Sequence, residues 1–147
     1  MDESKIRDRL RQLTFILDCR RAGDAVIDAI LELAERIDVS DETLLLREGD
    51  VRGTFGFVLL DGRVSVIKSE REPVVVDSPA LIGEMQQFSI SGSRSASVLT
   101  LGSCMLLRFD WPTLYATLEE RLRELDFQQV KDAVRRSSWN HATNFDD

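Results

Sequence analysis

The sequence predicts a small antiparallel β-barrel of jelly-roll type with helices on either side of it, a mainly β chain with flanking helices. Three observations carry this. Apolar residues recur at helical spacing near both ends. Between residues 41 and 110 the pattern changes to short alternating runs. Turn residues separate those runs at regular intervals. The expected organisation is an N-terminal helical segment over 1–40 packed on the barrel and the barrel itself over 41–110. Helices over 111–136 and a flexible polar tail over 137–147 complete it.

In the first segment Ile6, Leu10, Leu13 and Leu17 fall at helical spacing over residues 4–17. Gly23-Asp24 breaks and restarts the chain, with Asp24 as the expected N-cap. Val26, Ile27, Ile30, Leu31 and Ala34 then line one side of a second helix. These two helices are expected to cover the barrel and fill its core.

The barrel strands follow from alternation. Thr43-Leu44-Leu45-Leu46 is a short run ending at the turn composition Arg47-Glu48-Gly49-Asp50. Phe55, Phe57 and Leu59 alternate up to Asp61-Gly62, a hairpin-type pair. Val64-Ser65-Val66 continues the alternation, Ser69-Glu70-Arg71-Glu72 is a polar tip, and Val74-Val75-Val76 is the next strand. Two further strands, Ser97-Val98-Leu99 and Met105 to Phe109, are expected around Leu101-Gly102-Ser103. Asp110-Trp111-Pro112 reads as a cap with proline in the first helical turn. Leu114, Leu118, Leu122 and Leu125 form an apolar stripe, extended by Phe127, Val130 and Val134; one helix and two with a break near Asp126 both fit it.

Composition narrows the function. The 26 acidic and 19 basic residues give a net charge of −7, which disfavours duplex DNA and anionic membrane as partners. Cys19 and Cys104 form no Cys-x-x-Cys pair, so a reducing cytoplasm is the expected compartment. No apolar run approaches the length of a membrane span. The only histidine is His141, near the end of the chain, which removes the multi-histidine metal sites of similar small barrels and a nucleophile–histidine pair. No catalytic residue, metal ligand or cofactor is therefore assigned. The 37 residues after Asp110 contain no basic recognition helix.

One stretch, residues 82–98, carries chemistry. Gly83 lets the main chain approach a ligand closely, and N–H groups at the start of a helical turn favour an anion. Arg94, ten residues after Glu84, offers a planar fork of donors suited to phosphate oxygens. Ionised Glu84 can only accept hydrogen bonds, which suits a sugar hydroxyl, and Ser95 adds a hydroxyl beside the guanidinium.

Ile82-Gly83-Glu84-Met85 followed by Arg94-Ser95-Ala96-Ser97-Val98 resembles the phosphate-binding cassette of the cyclic nucleotide-binding domain family. Gly49-Asp50, Phe57-Val58, Gly62 and Val64 match the first half of that family's pattern, so the resemblance covers roughly Leu44 to Leu118. It implies a cyclic mononucleotide, cAMP in preference to cGMP, bound by Gly83, Glu84, Met85, Arg94, Ser95 and Ala96. It also implies hinge and lid helices after the barrel and a regulatory rather than catalytic role, acting on an effector protein that the sequence does not identify. The chain departs from the family at Gly56, at Pro79 and at Met85-Gln86-Gln87. The alternative reading is a non-binding relative of the same fold that dimerises or docks through the stripe from Leu114 to Val134. A homodimer through the C-terminal helices fits either reading.

Overall fold

A computed structural model describes residues 1–50, 54–83 and 96–146, with side chains as far as residue 137. Helix α1 (Glu3–Arg11) begins at Asp2, whose carboxylate accepts from the Lys5 N–H at 2.9 Å, and it buries Ile6 and Leu10. The chain breaks at Gln12-Leu13, and α2 (Thr14–Asp18) buries Phe15 and Ile16. The single helix expected over residues 4–17 is thus two, and the break turns Leu17 outward, 64% exposed. A 3-10 turn at Arg20–Ala22 leads into α3 (Gly23–Leu33). That helix has no side-chain cap; Asp24 sits in its first turn, where its charge still complements the helix dipole. Val26, Ile27 and Ile30 are buried as expected.

Strand β1 (Glu35–Val39) lies in the stretch assigned to the N-terminal helices. The remaining strands are β2 (Leu44–Leu46), β3 (Phe55–Ile67), β4 (Val74–Asp77), β5 (Ala80–Ile82) and β6 (Ser97–Asp110). They form one antiparallel six-stranded sheet in the order β1-β6-β3-β4, with β2 on β6 and β5 on β3. Two long strands organise it. β3 and β6 pair along nearly their whole lengths, from Phe55 opposite Asp110 to Ile67 opposite Ser97.

Neither predicted turn within these strands is a turn. Asp61-Gly62 does not close a hairpin, and Leu101-Gly102-Ser103 does not separate two strands; both lie inside continuous strands where the register shifts. Leu59 and Asp61 face Leu106 and Met105, so β3 carries an extra residue there; beyond it, Gly62 faces three residues of β6. Gly62 is at φ 110°, and a Cβ on it would lie 2.7 Å from Cys104 Sγ and 2.9 Å from the Ser103 carbonyl oxygen. The glycine is required by close approach of the neighbouring strand.

Alternation in β3 and β6 divides the interior in two. Val58, Leu60, Leu107 and Phe109 face the helices and pack with Leu10, Phe15, Ile30, Leu114 and Val130. Phe57, Leu59 and Leu106 face the other way, into a second cluster with Val64, Ala80, Ile82, Val98 and Cys104. Ile37, Leu45, Leu46 and Val76 complete that cluster, so every strand contributes to it and the sheet curls around it.

Candidate functional site

The stretch singled out by sequence connects β5 to β6. Gly83 follows β5 directly and stands at φ 92°, a conformation that L side chains rarely adopt. Ala96 precedes β6 and is buried. Glu84, Met85, Arg94 and Ser95 lie outside the described residues, so two of the six predicted ligand-binding residues are placed. The structure fixes the strand ends between which the segment runs.

Those ends constrain the path. Ile82 pairs with Phe57, and Ser97 pairs with Ile67. Phe57 also pairs with Arg108 of β6, so β5 and β6 occupy opposite edges of β3. Ten residues of β3 separate the two attachment points, up to about 33 Å of strand. The fourteen residues from 83 to 96 reach about 46–50 Å when fully extended. The two strand ends that these residues connect lie on opposite edges of β3. Ile82 and Val98, which flank it, both turn into the apolar cluster inside the sheet. The side chains of that cluster carry no charge.

A contact that sequence reasoning missed holds the far end. Ser97 Oγ accepts from the Glu48 N–H at 2.8 Å. The Glu48 carboxylate accepts from the Ser69 N–H at 3.0 Å and from the Ser69 hydroxyl. Ser69, through its hydroxyl first and then its N–H, holds the Glu48 carboxyl below the usual carboxylate range. Glu48 precedes Gly49-Asp50, where Gly49 stands at φ 85° and the Asp50 N–H donates to the Arg47 carbonyl at 3.2 Å. The turn was legible in the sequence. Its partners, 21 and 49 residues away, left no local signal.

The helices after the sheet begin where expected. Asp110 caps α4 (Trp111–Arg121) by accepting from the Thr113 N–H at 3.0 Å, with Pro112 in the first turn. α4 ends at Leu122, whose backbone is extended at ψ 153°, and α5 (Glu124–Asp146) follows. The break therefore falls at 122–123, and the stretch expected to be a flexible tail continues α5 as helix. α5 packs on α2 and the 3-10 turn: Arg21 pairs with Asp126 at 2.9 Å, and the Gln129 side-chain amide donates to the Asp18 carbonyl at 3.0 Å.

This packing corrects the stripe proposed as a docking surface. Leu114, Leu118, Phe127, Val130 and Val134 are all buried in the chain's own helical core. Leu122 is half-buried against that core, and Leu125 departs, at 82% exposed. Gly56, a departure from the family pattern, has a structural reason. A Cβ there would lie 2.5 Å from Trp111 Nε1 and 2.9 Å from Phe109 Cζ.

No protein-family profile matches the chain, and no curated protein is significantly similar in sequence. Solved structures are similar. The regulatory domain of Toxoplasma gondii PKA, crystallised with cAMP, shares 22% identity over 82% of this chain, with a TM-score of 0.65. The chain spans 47% of that domain, about half its length. PKAR CBD2 bound to Sp-2Cl-cAMPS shares 16% identity over 95% of this chain and 89% of its own, with a TM-score of 0.70. The sensor domain of the transcriptional regulator DNR from Pseudomonas aeruginosa shares 12% identity over 92% and 91%, with a TM-score of 0.67. At these identities the likeness establishes the fold, which is that of cyclic nucleotide-binding domains.

Proposed function

We propose that this chain is a regulatory, non-catalytic domain that binds a cyclic mononucleotide, cAMP in preference to cGMP. The observation that carries the reading is Gly83. It stands at positive φ at the end of β5, beside the apolar interior, where the cassette-like sequence begins. Two of the solved structures sharing the fold hold cAMP or a cAMP analogue. In this reading Arg94 neutralises the cyclic phosphate, with Gly83, Ser95 and Ala96 supplying main-chain and hydroxyl donors. Glu84 accepts from the ribose 2′-hydroxyl, Met85 completes the turn, and the base rests against the apolar cluster. Occupancy then shifts how α4 and α5 sit against the sheet, which an effector protein reads. Free, buried Cys19 and Cys104 support a reducing, cytoplasmic setting.

Calorimetric titration with cAMP and with cGMP, beside Arg94→Ala, tests this. Removing one partner of a desolvated charge pair costs roughly 2–5 kcal/mol, so the substitution is expected to weaken binding by roughly 30-fold or more. Absence of heat and of thermal shift with either nucleotide, in folded and ligand-free protein, overturns the reading.

A further inference from the structure

Helices cover the outer face of the sheet over only part of its length. On β6, Met105, Leu107 and Phe109 lie on that face and pack against the helical core. Val98, Cys104 and Leu106 point the other way, into the sheet. Alternation therefore puts Leu99 and Leu101 on the outer face too, farther along the strand. The register extends them into a row: Leu44 of β2 pairs with Leu99, Leu99 with Ser65 of β3, and Ser65 with Val75 of β4. Leu44 is 44% exposed, Val75 51% and Leu101 37%. Across four neighbouring strands the row is apolar but for Ser65, and it holds no charge in a chain whose net charge is −7. Arg63 and Asp77, an exposed pair at 3.9 Å, lie beside it.

We infer that this face is where a second copy of the chain docks, sheet against sheet. The relief of the row is self-complementary. Ser65 is small and only 8% exposed, the low point between Val75 and Leu99. A two-fold axis running along the strands between β3 and β6 sets Leu99 of each copy over the partner's Ser65. The same operation sets each Val75 over the partner's Leu44. That is the reciprocity a two-fold interface requires, and aligned sheets pack face to face in this manner. An uncharged row opposes no like charges, whereas the acidic surface elsewhere repels a copy. The row is roughly 15 Å across, and residues 63–67 span roughly 13 Å along the strand. This falls well short of the roughly 800 Å² per partner of stable complexes, so the association is weak and reversible. It does not rest on the ligand proposed above.

Sedimentation velocity of the full chain from ~10 μM to ~1 mM tests this. The wild type is expected to pass from monomer to dimer and no further, because a two-fold contact closes on itself. Val75→Lys, at an exposed position, is expected to raise the concentration of half-association by roughly tenfold or more, since it presses a charge onto the partner's Leu44. Cross-linking reads the geometry. Leu44→Cys and Val75→Cys place thiols on strands three spacings apart, roughly 14 Å, while the native cysteines are buried. A mixture of the two single variants is expected to cross-link with a short bismaleimide roughly tenfold faster than either variant alone. Cross-linking of a single variant as fast as the mixture overturns the inference, as does association unchanged in Val75→Lys. A wild type that stays monomeric throughout, or that assembles beyond a dimer, also overturns it and leaves the face to a different occupant.

Discussion

At the scale of single residues, Gly56 and Gly62 mark where a ring or a neighbouring strand comes too close for a side chain. Gly56 is the sharpest case, because a Cβ there would come within 3.0 Å of ring atoms of both Trp111 and Phe109. Trp111 is 2% exposed and sits edge-on to Phe109, with ring centroids 4.8 Å apart. Tyr115 and Phe127 continue the aromatic row behind it. A methyl group at 56 would press on the indole, which is itself buried among aromatic neighbours. Gly56→Ala is therefore expected to destabilise the fold by about 1–3 kcal/mol, the usual cost of overpacking. Urea denaturation of the variant measures it, and an unchanged midpoint would show that the ring can shift after all. The sequence shows a glycine out of place in an apolar strand. It does not show the tryptophan, 55 residues on, that requires it.

At the scale of elements, what could be foreseen is what local chemistry decides. Asp110-Trp111-Pro112 announced a helix start because capping involves only neighbours in sequence. Asp61-Gly62 announced a hairpin and was overruled. Pairing of β3 with β6 continues on both sides of it, and that pairing depends on residues some forty positions away. β1 escaped notice because Glu35-Arg36-Ile37-Asp38-Val39 alternates charge with apolar groups over too short a run to stand out from the helix before it. Around the candidate segment, the strand beginning at Ser97 was legible; β5, only three residues long, and the long-range Glu48–Ser69 and Glu48–Ser97 contacts were not. The α4 cap also yields a pH test. Thr54 foremost, and then Thr113, hold the Asp110 carboxyl below its usual range. A carboxyl whose folded pKa is depressed stabilises the fold above its unfolded pKa and loses that contribution as pH falls through the folded one. Asp110→Ala is expected to cost roughly 1 kcal/mol near neutrality. The gap to wild type should narrow below about pH 4. Thermal melts of both proteins across this range check it, and a gap independent of pH would assign the loss to packing alone.

At the scale of the whole molecule, two interiors share the same two strands. Val58, Leu60 and Leu107 belong to the helical core, while Phe57, Leu59 and Leu106 belong to the core inside the sheet. Neighbouring residues on one strand cannot lose their order separately, so the helices and the curled sheet should unfold as one unit. Each interior contains one cysteine that can report on it: Cys19 among the helices and Cys104 inside the sheet. Burial foremost, with Asp18 adding to it, pushes the Cys19 thiol up to about 12, so in the folded state its reactive thiolate is scarce at mildly alkaline pH. Two single-thiol variants separate the signals. Cys104→Ser leaves Cys19 as the probe, and Cys19→Ser leaves Cys104; serine can keep the bond each sulfur makes to the carbonyl of Phe15 or of Arg63. Labelling with a thiol reagent through a urea series is expected to give the same midpoint and slope for both variants once each is corrected for its own stability. If Cys19 became reactive at a lower urea concentration, the helical layer would be a separable unit that opens over an intact sheet. Coincident transitions instead mean that a displacement of α4 or α5 strains β3 and β6 directly, and β3 pairs with both β5 and β6, the strands at the two ends of the segment from Gly83 to Ala96.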